Sequence, residues 1–276
     1  MMRPWEYSAF AVTVAEARAI TPAWRRLTLR APKLRDFAPW GLDQRIKLVL
    51  PLPLPDGGLA DFGLMAEPTP HPSQWYARWK ALPEAERNVL RTYTPSAIRP
   101  EQGEIDVDVL LHEPPGPASA WAARVAPGER LWITGPDRRN GWTGYGLHWQ
   151  PPPGAMRWLL AGDETAFPAI ANILRTLPEG GRADVLLEAA DVRDDIVSAE
   201  APAGAHVRLV PRAAVAGDAL EAAVREAAVA DAEYVWLAGE AGAVTRIRRH
   251  LTAERGVPKD RVSFLGYWKL GGPLVG

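Results

Sequence analysis

The chain has 276 residues, of which 47% are hydrophobic and 24% are charged, and its formal net charge is −1. This balance is ordinary for a globular protein of about two domains, and it provides no overall field that would attract nucleic acid or an anionic membrane. The absence of cysteine excludes disulfides, thiolate catalysis, cysteine-ligated zinc and iron–sulfur clusters. Any electron transfer therefore needs an organic cofactor or an external centre.

The amino-terminal stretch MMRPWEYSAF lacks the apolar core of a signal peptide. No run of about 18 apolar residues occurs anywhere in the sequence. We therefore expect a cytoplasmic protein that does not bind membranes. The five histidines show no metal-ligand spacing, so we expect no metal site.

The first half of the sequence reads as short, often alternating strands between turns rich in proline and glycine. Six strands are predicted: AVTVAEA, WRRLTLRA, RIKLVL, NVLRTYT, EIDVDVLLH and ERLWITG. Their spacing predicts a six-stranded antiparallel β-barrel. Two helices are predicted to interrupt it, in SQWYARWKALPEAER and GPASAWAARVAPG.

The second half alternates between strands and helices. The predicted strands are MRWLLAG, ADVLLEA, HVRLV, EYVWLAG and RVSFLGYW, and the predicted helices are TAFPAIANILRTL, GDALEAAVREAAVA and AGAVTRIRRHLTAERG. This order predicts a parallel sheet covered on both faces, as in nucleotide-binding α/β domains. The expected fold is therefore a β-barrel domain at residues 1–137, a linker at 138–154 and an α/β domain at 155–276.

The short strand RTYTPS carries an unusual set of side chains. Alternate residues of a strand point to the same face, so Arg91 and Tyr93 share one face, while Thr92 and Thr94 share the other. A planar cation beside an aromatic ring suits a ligand that has both a phosphate and a flat ring system. The same pattern is also typical of an exposed strand with a stacked Arg–Tyr pair, and the residues alone leave both interpretations open.

Six motifs follow one another between residues 24 and 271: DQRIKLVLP, RTYTP, VDVLLHEPPGPASAWA, PGERLWITGP, AGDETAFPAI and GYWKLG. In this order they resemble the siderophore-interacting proteins, also called ferric-siderophore reductases, of the ferredoxin-reductase-like superfamily. The resemblance implies an FAD-binding barrel domain and an α/β domain that binds NADPH or NADH. It also implies a ferric siderophore as the substrate.

The resemblance assigns roles to the RTYT strand, which also includes Thr92. Arg91 would contact the FAD pyrophosphate, and Tyr93 would pack on the isoalloxazine ring. Thr94 would offer its hydroxyl near flavin N5. These roles agree with the chemistry, because an arginine fork fits phosphate oxygens and a phenol ring covers a flat heterocycle.

A second flavin-binding segment is implied in HEPPGPASAWA. A helix N-terminus presents free N–H groups and a partial positive charge, which suit a pyrophosphate. Ala118 and Ser119 are the candidates at the start of this predicted helix. His112 matches the histidine that the family has at the end of the preceding strand, and its alternative role is a strand-end histidine bonded to the backbone.

The acidic turn in AGDETAFPAI follows the first strand of the second domain and lacks the G-x-G-x-x-G pattern. Asp163 and Glu164 would repel a pyrophosphate there, so one interpretation is that they cap the following helix. The resemblance implies instead that the nicotinamide cofactor lies near this turn, close to Asp163, Glu164 and Thr165. The two interpretations remain open.

Polar residues also follow the second strand of the α/β domain. Glu188 and Asp191 could take ribose hydroxyls, whereas Arg193 could accept a 2′-phosphate. These residues do not indicate whether the cofactor is NADH or NADPH.

Two lysines lie in motifs where the resemblance implies a basic residue that docks the anionic substrate. Lys47 is predicted in mid-strand on the same face as Arg45, and Lys269 just past the last strand, where ligands of open α/β sheets bind. The alternative is that both are solvated surface lysines. Trp268, next to Lys269, is the tryptophan that we single out as a candidate outside the core.

The expected function is FAD-dependent transfer of electrons from NAD(P)H to ferric siderophores, with release of Fe(II). A flavin is suitable because nicotinamide gives two electrons together and iron takes one. No general acid or base is needed, so no catalytic residue is assigned beyond the placement of Thr94 near flavin N5. A reduced ferredoxin is an alternative donor. The alternative functions are a flavin or ferredoxin reductase on the same scaffold, or a non-catalytic flavin- or siderophore-binding module that handles iron.

Overall fold

The computed structural model describes residues 5–54, 58–227 and 232–271, and the chain forms two compact units that divide between Gly146 and Leu147. Each unit has its own β-sheet and its own hydrophobic core. The division lies inside the segment predicted as a linker. The boundaries 1–137 and 155–276 remain our proposal for the two functional domains.

The described part of the first unit contains seven strands and two α-helices. They are β1 (Tyr7–Ala19), β2 (Trp24–Arg30), β3 (Ile46–Val49), α1 (Pro72–Ala81), β4 (Leu90–Tyr93), β5 (Pro95–Arg99), β6 (Glu104–Leu110), α2 (Pro117–Arg124) and β7 (Arg130–Pro136). The strand order is β4-β3-β7-β1-β2-β6-β5, with antiparallel pairing throughout. This confirms the antiparallel barrel-type sheet.

The predicted number of six strands is wrong, because β5 is a seventh. The predicted strand NVLRTYT ends before Pro95, because proline cannot donate to a strand ladder, but Pro95 instead begins β5. β5 lies at one edge of the sheet, where the missing N–H of proline leaves no ladder position unfilled. The chain therefore passes from one edge strand, β4, to the other within one residue, Thr94.

Strand β6 shows how the sequence pattern builds the core of the first unit. Ile105, Val107 and Val109 are buried in the hydrophobic cluster, as their alternation predicted. Asp106 and Asp108 point to the other face and are also buried, because arginines from the neighbouring strands pair with both carboxylates. Both faces of β6 are thus covered, one by apolar side chains and one by ion pairs.

The described part of the second unit has a five-stranded parallel sheet of order β10-β9-β8-β11-β12. Its elements are β8 (Arg157–Asp163), α3 (Phe167–Leu174), β9 (Arg182–Ala189), β10 (Ala205–Pro211), α4 (Asp218–Glu226), β11 (Tyr234–Glu240), α5 (Ala241–Arg249) and β12 (Val262–Trp268). This confirms the α/β prediction. The predicted helix that contains α4 extends to residue 230, and its residues 228–230 lie outside the described residues.

The strands of this parallel sheet end along one side, which we call the carboxyl edge. Asp163 at the end of β8 is the register partner of Glu188 in β9. Glu240 at the end of β11 is the register partner of Trp268 at the end of β12. Residues far apart in the sequence therefore meet at the carboxyl edge, where ligands of open α/β sheets bind.

Candidate functional site

Strand β4 presents the RTYT motif from an edge of the first sheet, where it pairs with β3. Leu48 lies opposite Arg91 and Ile46 lies opposite Tyr93, and both of these β3 side chains are buried in the core of the first unit. Arg91 and Tyr93 therefore share the core-side face of the sheet, as the alternation predicted. Thr92 lies on the opposite face and is exposed.

The guanidinium of Arg91 is half-buried. It donates a hydrogen bond of 2.8 Å to the carbonyl of the preceding residue, Leu90, and no carboxylate in the described part of the chain pairs with it. Burial lowers the pKa of Arg91, while the nearby Tyr93 raises it. A partly desolvated cation without a counter-ion is unfavourable, and an anion bound beside it removes that cost. Arg91 therefore fits a phosphate group.

Tyr93 and Thr94 lie next to this arginine. Tyr93 packs against the hydrophobic core, and burial raises the pKa of its phenol to about 12, so the ring remains neutral. Thr94 is 5% exposed, and its hydroxyl makes no hydrogen bond to any residue that the structure describes. Buried hydroxyls normally have a partner, and a flavin ring atom would provide one. These residues fit FAD.

Helix α2 supplies a second set of groups that fit a pyrophosphate. No side chain caps its first turn after Gly116, and the backbone N–H groups of Ala118 and Ser119 have no acceptor among the described residues. The Ser119 Oγ accepts a hydrogen bond of 3.1 Å from the backbone N–H of His112. The His112 ring lies over Gly116, at 3.5 Å from where a Cβ would be. His112 thus packs directly on the helix start.

Lys47 lies on the sheet face opposite to that of Arg91. Its Nζ donates to Thr92 Oγ1 at 3.1 Å, which places these two predicted site residues together. Burial and the neighbouring Arg45 lower the pKa of Lys47 to about 8. The structure therefore does not bring Lys47 to the face shared by Arg91 and Tyr93, and its docking role remains a prediction.

At the carboxyl edge, the carboxylate of Asp163 is fully engaged within the second unit. It is 1% exposed and accepts hydrogen bonds from the N–H and hydroxyl of Thr165, from the N–H of Glu240 at 2.9 Å and from Trp268 Nε1 at 2.8 Å. Burial raises the pKa of Asp163, and the hydrogen bonds from Thr165 and Trp268 lower it in part. Asp163 thus caps the turn before α3.

Glu164 and Glu188 are buried as well. Glu164 accepts a hydrogen bond of 2.7 Å from the N–H of Ala190 and forms an ion pair with Arg212. Glu188 accepts from the N–H of Gly217 at 2.8 Å. Burial raises the pKa of both carboxyls, and Arg212 lowers both in part. Neither carboxylate is accessible at the protein surface, where a ribose would bind.

Asp191 and Arg193 had opposite predicted preferences for the cofactor, and the structure pairs them with each other. Arg193 Nε lies 2.9 Å from Asp191 Oδ2, and the Arg193 side chain is 72% exposed. The hydrogen bonds from Arg193 lower the pKa of Asp191 to about 2. Arg193 must leave this pair to accept a 2′-phosphate.

Sequence reasoning missed two residues at the carboxyl edge. Arg212 was missed because its partner Glu164 is 48 positions away, and no local motif marks the pair. Gly239 has a φ of 147°, and a Cβ there would lie 2.5 Å from Asp163 Oδ2, so glycine permits the close approach of that carboxylate. A glycine at a strand end was the available signal for this contact.

The described ranges contain neither a membrane-spanning helix nor a metal-binding cluster. No helix there is long and apolar enough to cross a membrane. No group of three or more His, Asp or Glu side chains there could hold a metal ion.

The barrel-type sheet with its flavin-fitting groups, followed by a parallel α/β unit, defines a two-domain flavoprotein. The sequence model of the siderophore-interacting FAD-binding domain matches residues 13–140, and that of the siderophore-interacting protein matches residues 155–271. The chain belongs to the siderophore-interacting protein family, which confirms the resemblance.

Individual relatives agree with this assignment. The mycobactin import ATP-binding/permease protein IrtA of Mycolicibacterium smegmatis is 32% identical over 98% of this chain, which spans only 27% of that protein. The ferric vibriobactin reductase ViuB of Vibrio cholerae is 28% identical over 66% of this chain and 65% of that protein. The crystal structure of a siderophore utilization protein from T. fusca matches with a TM-score of 0.75 at 26% identity, over 99% of this chain and 97% of that one.

Proposed function

We propose that the chain is an FAD-dependent reductase that transfers electrons from NAD(P)H to ferric siderophores and releases Fe(II). The observation that carries the proposal is the half-buried Arg91, which has no carboxylate partner in the described chain and lies beside Tyr93 and Thr94. The FAD-binding domain match and the similarity to a protein named as a ferric vibriobactin reductase support it.

Each residue of the flavin-fitting set has a distinct role in this proposal. The Arg91 fork and the N–H groups at the start of α2 hold the pyrophosphate. Tyr93 covers the isoalloxazine ring, and the Thr94 hydroxyl donates a hydrogen bond near N5. When bound, FAD connects a two-electron donor to a one-electron acceptor.

The iron step needs no proton transfer by the protein. Oxygen-donor chelators hold Fe(II) less tightly than Fe(III), so reduction alone releases the metal. The buried carboxylates of Asp163, Glu164 and Glu188 are engaged by N–H donors or by Arg212, which agrees with structural rather than acid–base roles.

The nicotinamide cofactor, NADPH or NADH, is expected to bind weakly at the carboxyl edge. The acidic turn has no glycine-rich cradle, and the side chains of Asp163, Glu164 and Thr165 bond to other groups of the same unit. Phosphate contacts must therefore come from elsewhere on the edge. A reduced ferredoxin is the alternative donor.

The absorption spectrum of the purified protein tests the proposal. We expect an FAD spectrum that bleaches under anaerobic NADH or NADPH and recovers when a ferric siderophore is added, while a ferrous chelator traps Fe(II). If only reduced ferredoxin bleaches the flavin, then ferredoxin and not NAD(P)H is the electron donor. If the oxidised flavin spectrum recovers with free flavin or oxidised ferredoxin but not with ferric chelates, the assignment of ferric siderophores as the substrate is wrong. No bleaching with any donor would favour a non-catalytic module.

A further inference from the structure

Residues 268–270 form a short segment at the carboxyl edge that is held at both ends. Trp268 Nε1 donates to Asp163 Oδ2 at 2.8 Å, and the N–H of Leu270 donates to Glu240 Oε1 at 3.3 Å. Lys269 lies between these two anchors and is exposed. Asp163 therefore holds the Trp268 side chain on one side of this cation, and Glu240 holds the Leu270 backbone on the other.

The two carboxylates are connected to each other. Asp163 Oδ2 also accepts the N–H of Glu240 at 2.9 Å, and the Glu240 side chain caps α5 by accepting the N–H of Ala243 at 2.7 Å. Gly239 leaves the space for Asp163 to approach this strand end. The ends of β8, β11 and β12 are thus joined through one path of hydrogen bonds, which is buried where Asp163 meets Glu240.

This path of hydrogen bonds holds the Lys269 segment without neutralising the lysine's positive charge. The carboxylate oxygens of Asp163 and Glu240 accept hydrogen bonds from N–H and O–H donors. No carboxylate in the described part of the chain pairs with Lys269. A charge on a fixed backbone loses less conformational freedom on binding than the same charge on a mobile segment. The anchors therefore favour binding of an anion by Lys269.

We propose that Asp163 and Glu240 are positioning residues that hold Lys269 where it docks an anionic ferric chelate. The inference rests on the proposed function for the identity of its substrate. Neither carboxylate touches the chelate in this scheme, and both act through the segment that carries Lys269. Loss of an anchor should weaken docking of anionic complexes and leave docking of neutral complexes unchanged.

The test measures binding of redox-inert gallium complexes by calorimetry, so that the result does not depend on turnover. Trp268→Phe keeps an aromatic ring and removes the indole N–H, and Asp163→Asn removes an acceptor. We expect each to weaken binding of the anionic Ga(III) tris-catecholate about three- to tenfold, as for one lost hydrogen bond. Binding of the neutral Ga(III) tris-acetohydroxamate should not change. Asp184→Asn, at the amino end of β9 in the same sheet, is the matched control and should bind both complexes as wild type does.

A double-mutant cycle with Lys269→Ala separates positioning from general damage. Once Lys269 is absent, Trp268→Phe should cause no further loss of tris-catecholate binding, because its effect acts through the lysine. Wild-type binding in Trp268→Phe, or an equal loss with and without Lys269, would overturn the inference even if Asp163→Asn does not fold. If wild type shows the expected binding pattern but reduces no ferric complex, the proposed function fails and the positioning role stands.

Discussion

Arg91 is the residue on which FAD binding is expected to depend most. Arg91→Ala should weaken FAD binding about ten- to a hundredfold, because a charge-assisted phosphate contact is worth roughly 1.5 to 3 kcal/mol. The dissociation constant of FAD from the reconstituted apoprotein measures this. Arg30→Ala, which removes an exposed arginine of β2 in the same sheet, is the control and should retain FAD normally. An Arg91→Ala protein with wild-type FAD affinity would show that the motif has been misassigned.

At the same scale, the sequence predicted which side chains share a face but not which of them are already bonded. Alternation placed Arg91 with Tyr93 correctly, because it depends only on backbone geometry. It could not show that Asp191 forms an ion pair with Arg193, or that Glu164 forms one with Arg212. Such pairs depend on side-chain rotamers and on distant chain segments. The cofactor roles of all these residues remain predictions.

Among the elements, β1 and β7 are joined by a buried carboxylate that follows β7. Asp137 is fully buried, accepts a hydrogen bond of 2.6 Å from the Ser8 hydroxyl of β1 and pairs with Arg139 at 2.6 Å. Asp137→Asn should destabilise the first unit by about 1 to 3 kcal/mol, a value reduced for the solvent screening of the 40% exposed Arg139. Thermal unfolding measures the loss. Asp36→Asn, which alters a more exposed partner of the same arginine, is the control and should change stability little.

The same carboxylate predicts how stability depends on pH. Burial raises the pKa of Asp137, but hydrogen bonds from Arg139 and Ser8 outweigh it, so the pKa lies below 3.8 in the folded state. The contribution of Asp137 is thus present above its unfolded pKa and is lost as the pH falls through the lower, folded pKa. The stability difference between wild type and Asp137→Asn should therefore shrink below about pH 4. A difference that stays constant down to acid unfolding would contradict this account.

The elements themselves were mostly predictable, because hydrophobic periodicity is local. β6 is an example, since its apolar alternation predicted both the strand and the side chains that enter the core. β5 was missed because its proline suggested a stop, whereas an edge position tolerates it. The sheet order β4-β3-β7-β1-β2-β6-β5 could not be read from periodicity, since strand order depends on contacts between distant segments.

In the whole molecule, topology assembles sites that no single stretch of sequence encodes. The parallel order of the second sheet brings Asp163, Glu240 and Trp268 together from three separate strands. The family was visible in the sequence because six ordered motifs were present, but the path of hydrogen bonds between those motifs required the structure. Under the proposed function, this nearly neutral chain has to attract a charged substrate.

A formal net charge of −1 gives no long-range attraction for an anion, so the proposed binding of an anionic ferric chelate requires local cations. Burial and Arg45 lower the pKa of Lys47 to about 8, so its charge falls between pH 7 and pH 9. If Lys47 docks the chelate through a charge pair worth ~1 kcal/mol, the apparent KM should rise about threefold between these pH values. The chelate used must have a charge that is constant over this range. Steady-state reduction rates across this range, at low salt, measure the change.

Variants at this position separate the lysine from every other titrating group. Lys47→Arg keeps its charge at all of these pH values, so its KM should remain low from pH 7 to pH 9. Lys47→Ala should show at pH 7 the high KM that wild type reaches at pH 9. The FAD content of both variants checks that the flavin-binding unit is intact. If wild type and Lys47→Arg show the same dependence on pH, the titrating group is elsewhere and Lys47 does not dock the substrate.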